Sequence, residues 1–327
     1  MSRRAVPRGP VMLDVAGLEL TAEERERLAH PLVGGVILFT RNYVSPAQLQ
    51  SLTSEIRAVR DPSLLIATDH EGGRVQRFRD GFSAIPPMRT LGKQWDRNVM
   101  AAATEARRIA ATIATELGVA GIDFSFAPVV DLDHGTSGVI GDRAFHRNPN
   151  AVAHLAAAFR DGLRVGGMAA VAKHFPGHGF VDADSHTELP VDARPLAALE
   201  KDDLIPFGAL VRLGVEGIMP AHIAYPAVDA QPAGYSRVWL QDILRGRLGF
   251  DGLIFSDDLS MAAAKGVGDV VARAEAASDA GCDIVLICND PAGAGTLLSQ
   301  WRPKQSPDLA HRSAALALRP TVEMRQA

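Results

Sequence analysis

Short apolar runs alternate with amphipathic stretches along all 327 residues. Runs rich in Val, Ile, Leu and Phe lie at Val11–Leu13, Gly35–Phe39, Leu64–Thr68, Phe124–Val130, Ala170–Ala172, Gly217–Met219, Leu253–Phe255 and Asp283–Ile287. They do not alternate strictly between apolar and polar, which predicts parallel strands covered on both faces. Helix signals fall between them. Thr21-Ala-Glu-Glu24 and Ser45-Pro46-Ala-Gln48 read as capping boxes, the second with Pro at the first helical position. Ile109, Ile113 and Leu117 share one face of a helix. A phrase with a helix end, a glycine and a new strand recurs at Glu116–Ile122, Arg212–Ile218 and Asp279–Ile284. Glycine there accepts a positive φ and lets the chain turn into the next strand.

Repeated βα units predict a parallel sheet, and about eight of them favour a closed (β/α)8 TIM-type barrel over an open, doubly wound sheet. No linker or low-complexity tract divides the chain. Residues 1–327 therefore read as a single catalytic barrel domain, with a Pro-interrupted, Ala-rich tail after Trp301 expected to fray in part. Polar residues punctuate the strand ends: Asp14, Thr40-Arg41, Asp69-His70-Glu71, Asp131, Lys173-His174, His222, Asp257-Asp258 and Asn289-Asp290. In such a barrel these ends share one face, where the active site lies, so the pattern predicts a polar funnel.

Three segments carry candidate chemistry. Lys173-His-Phe-Pro-Gly-His-Gly-Phe-Val-Asp-Ala-Asp-Ser-His186 runs from a strand end into a Gly- and Pro-containing loop. Within it, Asp184 could hold one nitrogen of His186 and raise the basicity of the other, suiting proton transfer near neutrality. His174, His178, Asp182, Asp184 and His186 are also potential metal ligands. Pro176 and Gly177 interrupt any helical His pair, and Lys173 would set a cation beside a metal, so neither metal nor cofactor is expected. Gly252-Leu-Ile-Phe-Ser-Asp-Asp-Leu-Ser260 places two carboxylates at a strand lip, where one can attack an anomeric carbon and the other cap a helix. Spacing does not say which. Asp69-His-Glu-Gly-Gly-Arg-Val-Gln-Arg77 pairs a tight turn with an acid and a base able to grip sugar hydroxyls. A fourth polar cluster is Gly141-Asp-Arg143-Ala-Phe145.

Composition narrows the partners. The chain is 47% hydrophobic and 22% charged with a formal net charge of -4, so no basic excess favours nucleic acid or an anionic membrane. No apolar run approaches a membrane span, and the basic stretch Met1–Arg8 is followed by no signal-peptide core. The two cysteines, Cys282 and Cys288, lie in an apolar run and read as buried thiols rather than a disulfide. A cytoplasmic location and a monomer are the expectations.

Taken in order, Asp69–Arg77, Gly141–Phe145, Lys173–Gly179 with Asp184-Ser-His186, and Phe255-Ser-Asp-Asp-Leu259 resemble the family 3 glycoside hydrolases. The likeness is nearest to the β-N-acetylglucosaminidase branch of bacterial peptidoglycan recycling and runs from Gly9 to about Asn289. It implies a retaining exo-hydrolase of terminal β-linked N-acetylglucosamine on muropeptide-type fragments, including those on 1,6-anhydro-N-acetylmuramic acid. It implies Asp257 as nucleophile, His186 as acid/base paired with Asp184, and Asp69, Arg77, Arg143, Lys173 and His174 as ligands of the sugar. Rival readings are a glycoside phosphorylase, a metal-dependent hydrolase and a non-catalytic sugar-binding barrel.

Overall fold

The computed structural model describes residues 4–182, 189–304 and 306–319. Eight parallel strands close into a barrel: β1 (Val11–Asp14), β2 (Val33–Leu38), β3 (Leu65–Thr68), β4 (Phe124–Ser125), β5 (Ala169–Phe175), β6 (Gly217–Pro220), β7 (Leu253–Asp258) and β8 (Ile284–Ile287). Each strand pairs with its sequence neighbours, and β8 returns to β1 through Val285–Val11 and Ile287–Leu13. Helices follow the strands: α1 (Ala22–Leu28), α2 (Pro46–Ala58), α3 (Val99–Val119), α4 (Pro149–Val165), α5 (Leu204–Arg212), the π-type α6 (Val238–Arg247), α7 (Val270–Ala280) and α8 (Pro291–Gln300). Each of the eight apolar runs contributes a barrel strand, as the lack of strict alternation implies for strands buried on both faces.

The run Phe124–Val130 is a strand only over its first two residues. Pro128 has no N–H to give the ladder. The chain nevertheless tracks β5, with Val171 and Lys173 amides donating to the carbonyls of Ala127 and Pro128. Thr21 and Glu24 form the expected reciprocal cap. The second capping box differs. Ser45 Oγ accepts from Gln48 N, but the Gln48 side chain reaches Val44 N, one residue earlier than a box requires.

The recurring glycine phrase has a structural counterpart on the face opposite the funnel. Gly121, Gly214 and Gly281 take φ of 81°, 74° and 123° at the helix ends. Two residues later sit Asp123, Glu216 and Asp283, before β4, β6 and β8. Each accepts a backbone amide of the preceding strand, from Ile66, Ala170 and Ile254 respectively. Arg57 and Arg245 pair with Asp123 and Asp283 at 3.0 and 2.8 Å, and Arg160 stands 3.9 Å from Glu216. One sequence phrase thus supplies both the turn and a carboxylate stitch between strands.

The tail expected to fray docks on this same face over residues 306–319. Arg312, on the helix Leu309–Ala315, reaches Asp283 and Asp251 at 3.0 Å each, and Leu318 N donates to Asp123. Leu316 is fully buried. Inside the barrel, Phe124, Phe126 and Phe255 pack ring on ring with centroids 5.1–5.6 Å apart. Their wedge fills the lumen, so the barrel is a packed core, and Phe126 forms part of the floor of a cavity above it.

Candidate active site

The cavity opens at the C-terminal ends of the strands and has a volume of about 950 Å³. Asp69, Arg77, Arg143, Lys173, His174 and Asp257 all line it, brought together from β5, β7 and the connections that follow β3 and β4. Asp184 and His186 lie outside the described residues. Asp182 lines the cavity.

The hairpin formed by His70–Gly72 and Val75–Gln76 turns back through Gly72 and Gly73, at φ of 106° and 55°. Asp69 and Glu71, two apart on an extended chain, face the same way. Lys173 lies between them, with Nζ 2.8 Å from Asp69 Oδ1 and 2.7 Å from Glu71 Oε1. Arg77 completes the pairing of Asp69 at 2.9 Å. Arg143 grips both Glu71 oxygens at 2.8 Å. Burial disfavours charge on Asp69, but Lys173 and Arg77 overcome it and hold its carboxyl well below the usual range. Burial is likewise outweighed at Glu71, which Arg143 and Lys173 bring down to about 2. The same contacts raise Lys173 against its own desolvation. Five charges are thereby held ionised in a wall of fixed donors and acceptors, an arrangement suited to a neutral, many-hydroxyl ligand.

Across the cavity, the adjacent carboxylates of β7 have different surroundings. Asp258 accepts from Ser260 N, Ser260 Oγ and Cys288 N at 2.9, 2.7 and 3.1 Å. Burial nonetheless pushes its carboxyl up. Asp258 therefore shapes the turn. Asp257 accepts only from the next backbone amide among the described hydrogen bonds and faces the cavity. A break in the β7–β8 register between Phe255 and Asp258 accompanies the change of direction, as bulges beside active sites often do. Asp258→Ala is expected to lower the urea unfolding midpoint by an amount equivalent to roughly 1–3 kcal/mol, through three orphaned donors. An unchanged midpoint would show that these bonds carry no net stability.

The polar funnel is narrower than the strand-end pattern suggested. Asp290 caps α8 through Gly293 N. Asp14 and Arg41 pair with each other and with Asn289 at the rim. His222 turns away to the Asp258 carbonyl at 3.0 Å and stacks on Tyr235. His70 is enclosed between Phe78 and Phe82, where burial and Arg79 bring its pKa down to about 4 and leave it neutral at pH 7. Two residues without an assigned role in the sequence reading prove central: Glu71, and Asp131, which binds His174 Nδ1 at 2.7 Å. The period-2 relation to Asp69 was a usable signal for Glu71. Asp131 offered only its place at a strand end.

Among the described residues, His134, Asp202 and Asp203 form the one trio close enough to share a cation; it lies beside the segment after β5, with Asp203 against Gly177 and His134 edge-on to Phe180. Arg194 already occupies Asp203 at 2.7 Å and His134 contacts it at 3.2 Å, so Asp203 is committed to protein partners. Both cysteines are free and buried. No helix among the described residues is long and apolar enough to cross a membrane.

Residues 11–301 match the family profile described as Glycosyl hydrolase family 3 N terminal domain. The Beta-hexosaminidase of Chromobacterium violaceum is 57% identical over 312 residues, covering 95% of this chain and 87% of its own. That of Methylobacillus flagellatus is 59% identical over 294 residues, covering 90% and 84%. The crystal structure of NagZ from Neisseria gonorrhoeae in complex with N-trifluoroacetyl-D-glucosamine superposes with a TM-score of 0.95 at 50% identity, over 99% of this chain and 94% of that one. The barrel, the cavity and these likenesses agree: the chain is a glycoside hydrolase and belongs to glycosyl hydrolase family 3.

Proposed function

We propose that this protein is a retaining exo-β-N-acetylglucosaminidase that removes terminal N-acetylglucosamine from peptidoglycan fragments in the cytoplasm. The observation carrying this reading is Asp257, a carboxylate free of side-chain partners among the described hydrogen bonds, facing a wall of paired charges across a cavity of sugar size. The relatives named Beta-hexosaminidase and the glucosamine derivative bound by the gonococcal NagZ support the choice of sugar. Two free, buried thiols are compatible with a reducing compartment.

In the first step Asp257 attacks the anomeric carbon and His186 gives its proton to the departing oxygen. In the second, His186 takes a proton from water, and the water oxygen displaces the aspartate to release the sugar with net retention. Two displacements replace one difficult step. Asp184 would keep the His186 ring oriented. Asp69, Arg77, Arg143, Lys173 and His174 would bind the sugar's polar groups, converting binding into orientation.

The test is release of chromophore from an aryl N-acetyl-β-glucosaminide, with and without added phosphate and with a chelator. Turnover independent of both is the expected result. Turnover that requires phosphate would make the protein a phosphorylase, loss on chelation would implicate a metal, and binding without turnover would leave a sugar-binding barrel. Comparing N-acetylglucosaminyl-1,6-anhydro-N-acetylmuramic acid with chitobiose then tests the preference for cell-wall fragments.

A further inference from the structure

A second Asp–His pair stands in the cavity, apart from the pair expected on the loop. Asp131, 1% exposed, follows β4, and the turn leaving β5 wraps around its carboxylate. Its Oδ1 accepts from His174 N at 3.2 Å and from His178 N at 2.7 Å, while Oδ2 meets His174 Nδ1 at 2.7 Å. An ionised carboxylate has no proton to give, so the hydrogen of this contact belongs to His174 Nδ1. The ring's other nitrogen, Nε2, is left for the cavity that His174 lines together with Asp257. The His178 ring stands edge-on to it, centroids 5.8 Å apart.

We propose that Asp131 is a positioning residue that locks His174 in its Nδ1–H form, so that Nε2 meets the bound sugar as a hydrogen-bond acceptor. The proposal rests on reading this cavity as the N-acetylglucosamine site. Its geometry makes a sharp distinction between aspartate and its isostere. Two backbone amides converge on Oδ1 and can be satisfied only by an oxygen. In Asp131→Asn the carboxamide oxygen is therefore pinned there, and its NH2 group faces Nδ1. Both would then be donors, so the ring must move its proton to Nε2, presenting the wrong polarity to the sugar.

The experiment combines nitrogen-15 NMR of labelled histidines with steady-state kinetics. The His174 resonances are assigned by their loss in His174→Ala. Wild-type protein is expected to carry the proton on Nδ1, and Asp131→Asn on Nε2. The substitution should lower kcat on the order of a hundredfold. In a His174→Ala background it should cost little further, because Asp131 acts through that ring. A wild-type ring protonated on Nε2 would overturn the proposal. So would an undiminished effect of Asp131→Asn without His174. Should Asp131→Asn fail to fold, the wild-type spectrum decides. A correct tautomer in a protein that turns over no N-acetyl-β-glucosaminide would instead refute the substrate reading and leave the pairing in place.

Discussion

Asp257→Ala is expected to lose turnover on an aryl N-acetyl-β-glucosaminide by a factor on the order of 10⁴ or more, with its unfolding midpoint little changed. The side chain makes no long-range hydrogen bond among those described, so its removal takes an acceptor only from the adjacent amide of Asp258. It does remove the atom proposed to bond to the anomeric carbon. Sodium azide should restore part of the rate, because a small linear anion fits the vacated space. It would attack from the face where the carboxylate stood, expel the aryloxide and leave an α-glycosyl azide. Recovery of that anomer identifies Asp257 as the nucleophile. A β-glycosyl azide, or a variant that retains most of its activity, would move the role elsewhere. Asp258→Ala serves as the contrast, since its partners are the turn and β8 rather than the cavity.

Lys173→Met should be the costliest change in the sugar-binding wall. Lys173 is the cation shared by Asp69 and Glu71, and its ammonium is enclosed. Deleting one partner of a buried ion pair typically costs roughly 3–5 kcal/mol, and Arg77 and Arg143 should soften the loss here. The pH dependence has a defined sign. Glu71 titrates near 2 in the folded protein against an ordinary 4.5, so its contribution to stability is fully present above about 4.5. That contribution is lost as pH falls toward 2. Without Lys173 the two carboxylates rise toward ordinary values, and less of it exists to lose. The gap in urea midpoint between wild type and Lys173→Met should therefore be widest near neutrality and narrow as pH falls from about 4.5. A gap that stays constant with pH would mean that lost packing, not charge pairing, accounts for the destabilisation. Turnover should fall as well, by roughly 10²–10³-fold, through loss of a fixed donor.

Much of this architecture is written locally. A strand buried on both faces needs only a run of apolar residues, and eight runs in the chain become the eight strands of the barrel. The cap at Thr21 is settled within three residues. The motifs that resemble family 3 are compact as well, and six of the eight candidate residues meet in one cavity, Asp184 and His186 falling outside the described residues.

Other outcomes depend on partners far along the chain. Asp257 and Asp258 are adjacent acids in the sequence; Ser260 and, through closure of β7 on β8, Cys288 N take Asp258 into the turn, while Asp257 is left facing the cavity. Asp14, Asp290 and His222 sit at strand ends like the cavity residues, yet a rim arginine, a helix amide and a backbone carbonyl claim them. Pro128 shortens the fourth strand, and the tail after Trp301 is held by Asp283 and Asp123, which also stitch the barrel floor. Lys173 and Asp69 are 104 residues apart and meet because strands three to five come round on one side of a closed sheet. Hydrophobic period and capping are properties of neighbours in sequence, so they are legible there. The ionisation and aim of each polar side chain depend on how deeply it is buried and which distant charges the closed barrel sets against it, and only the folded chain decides that.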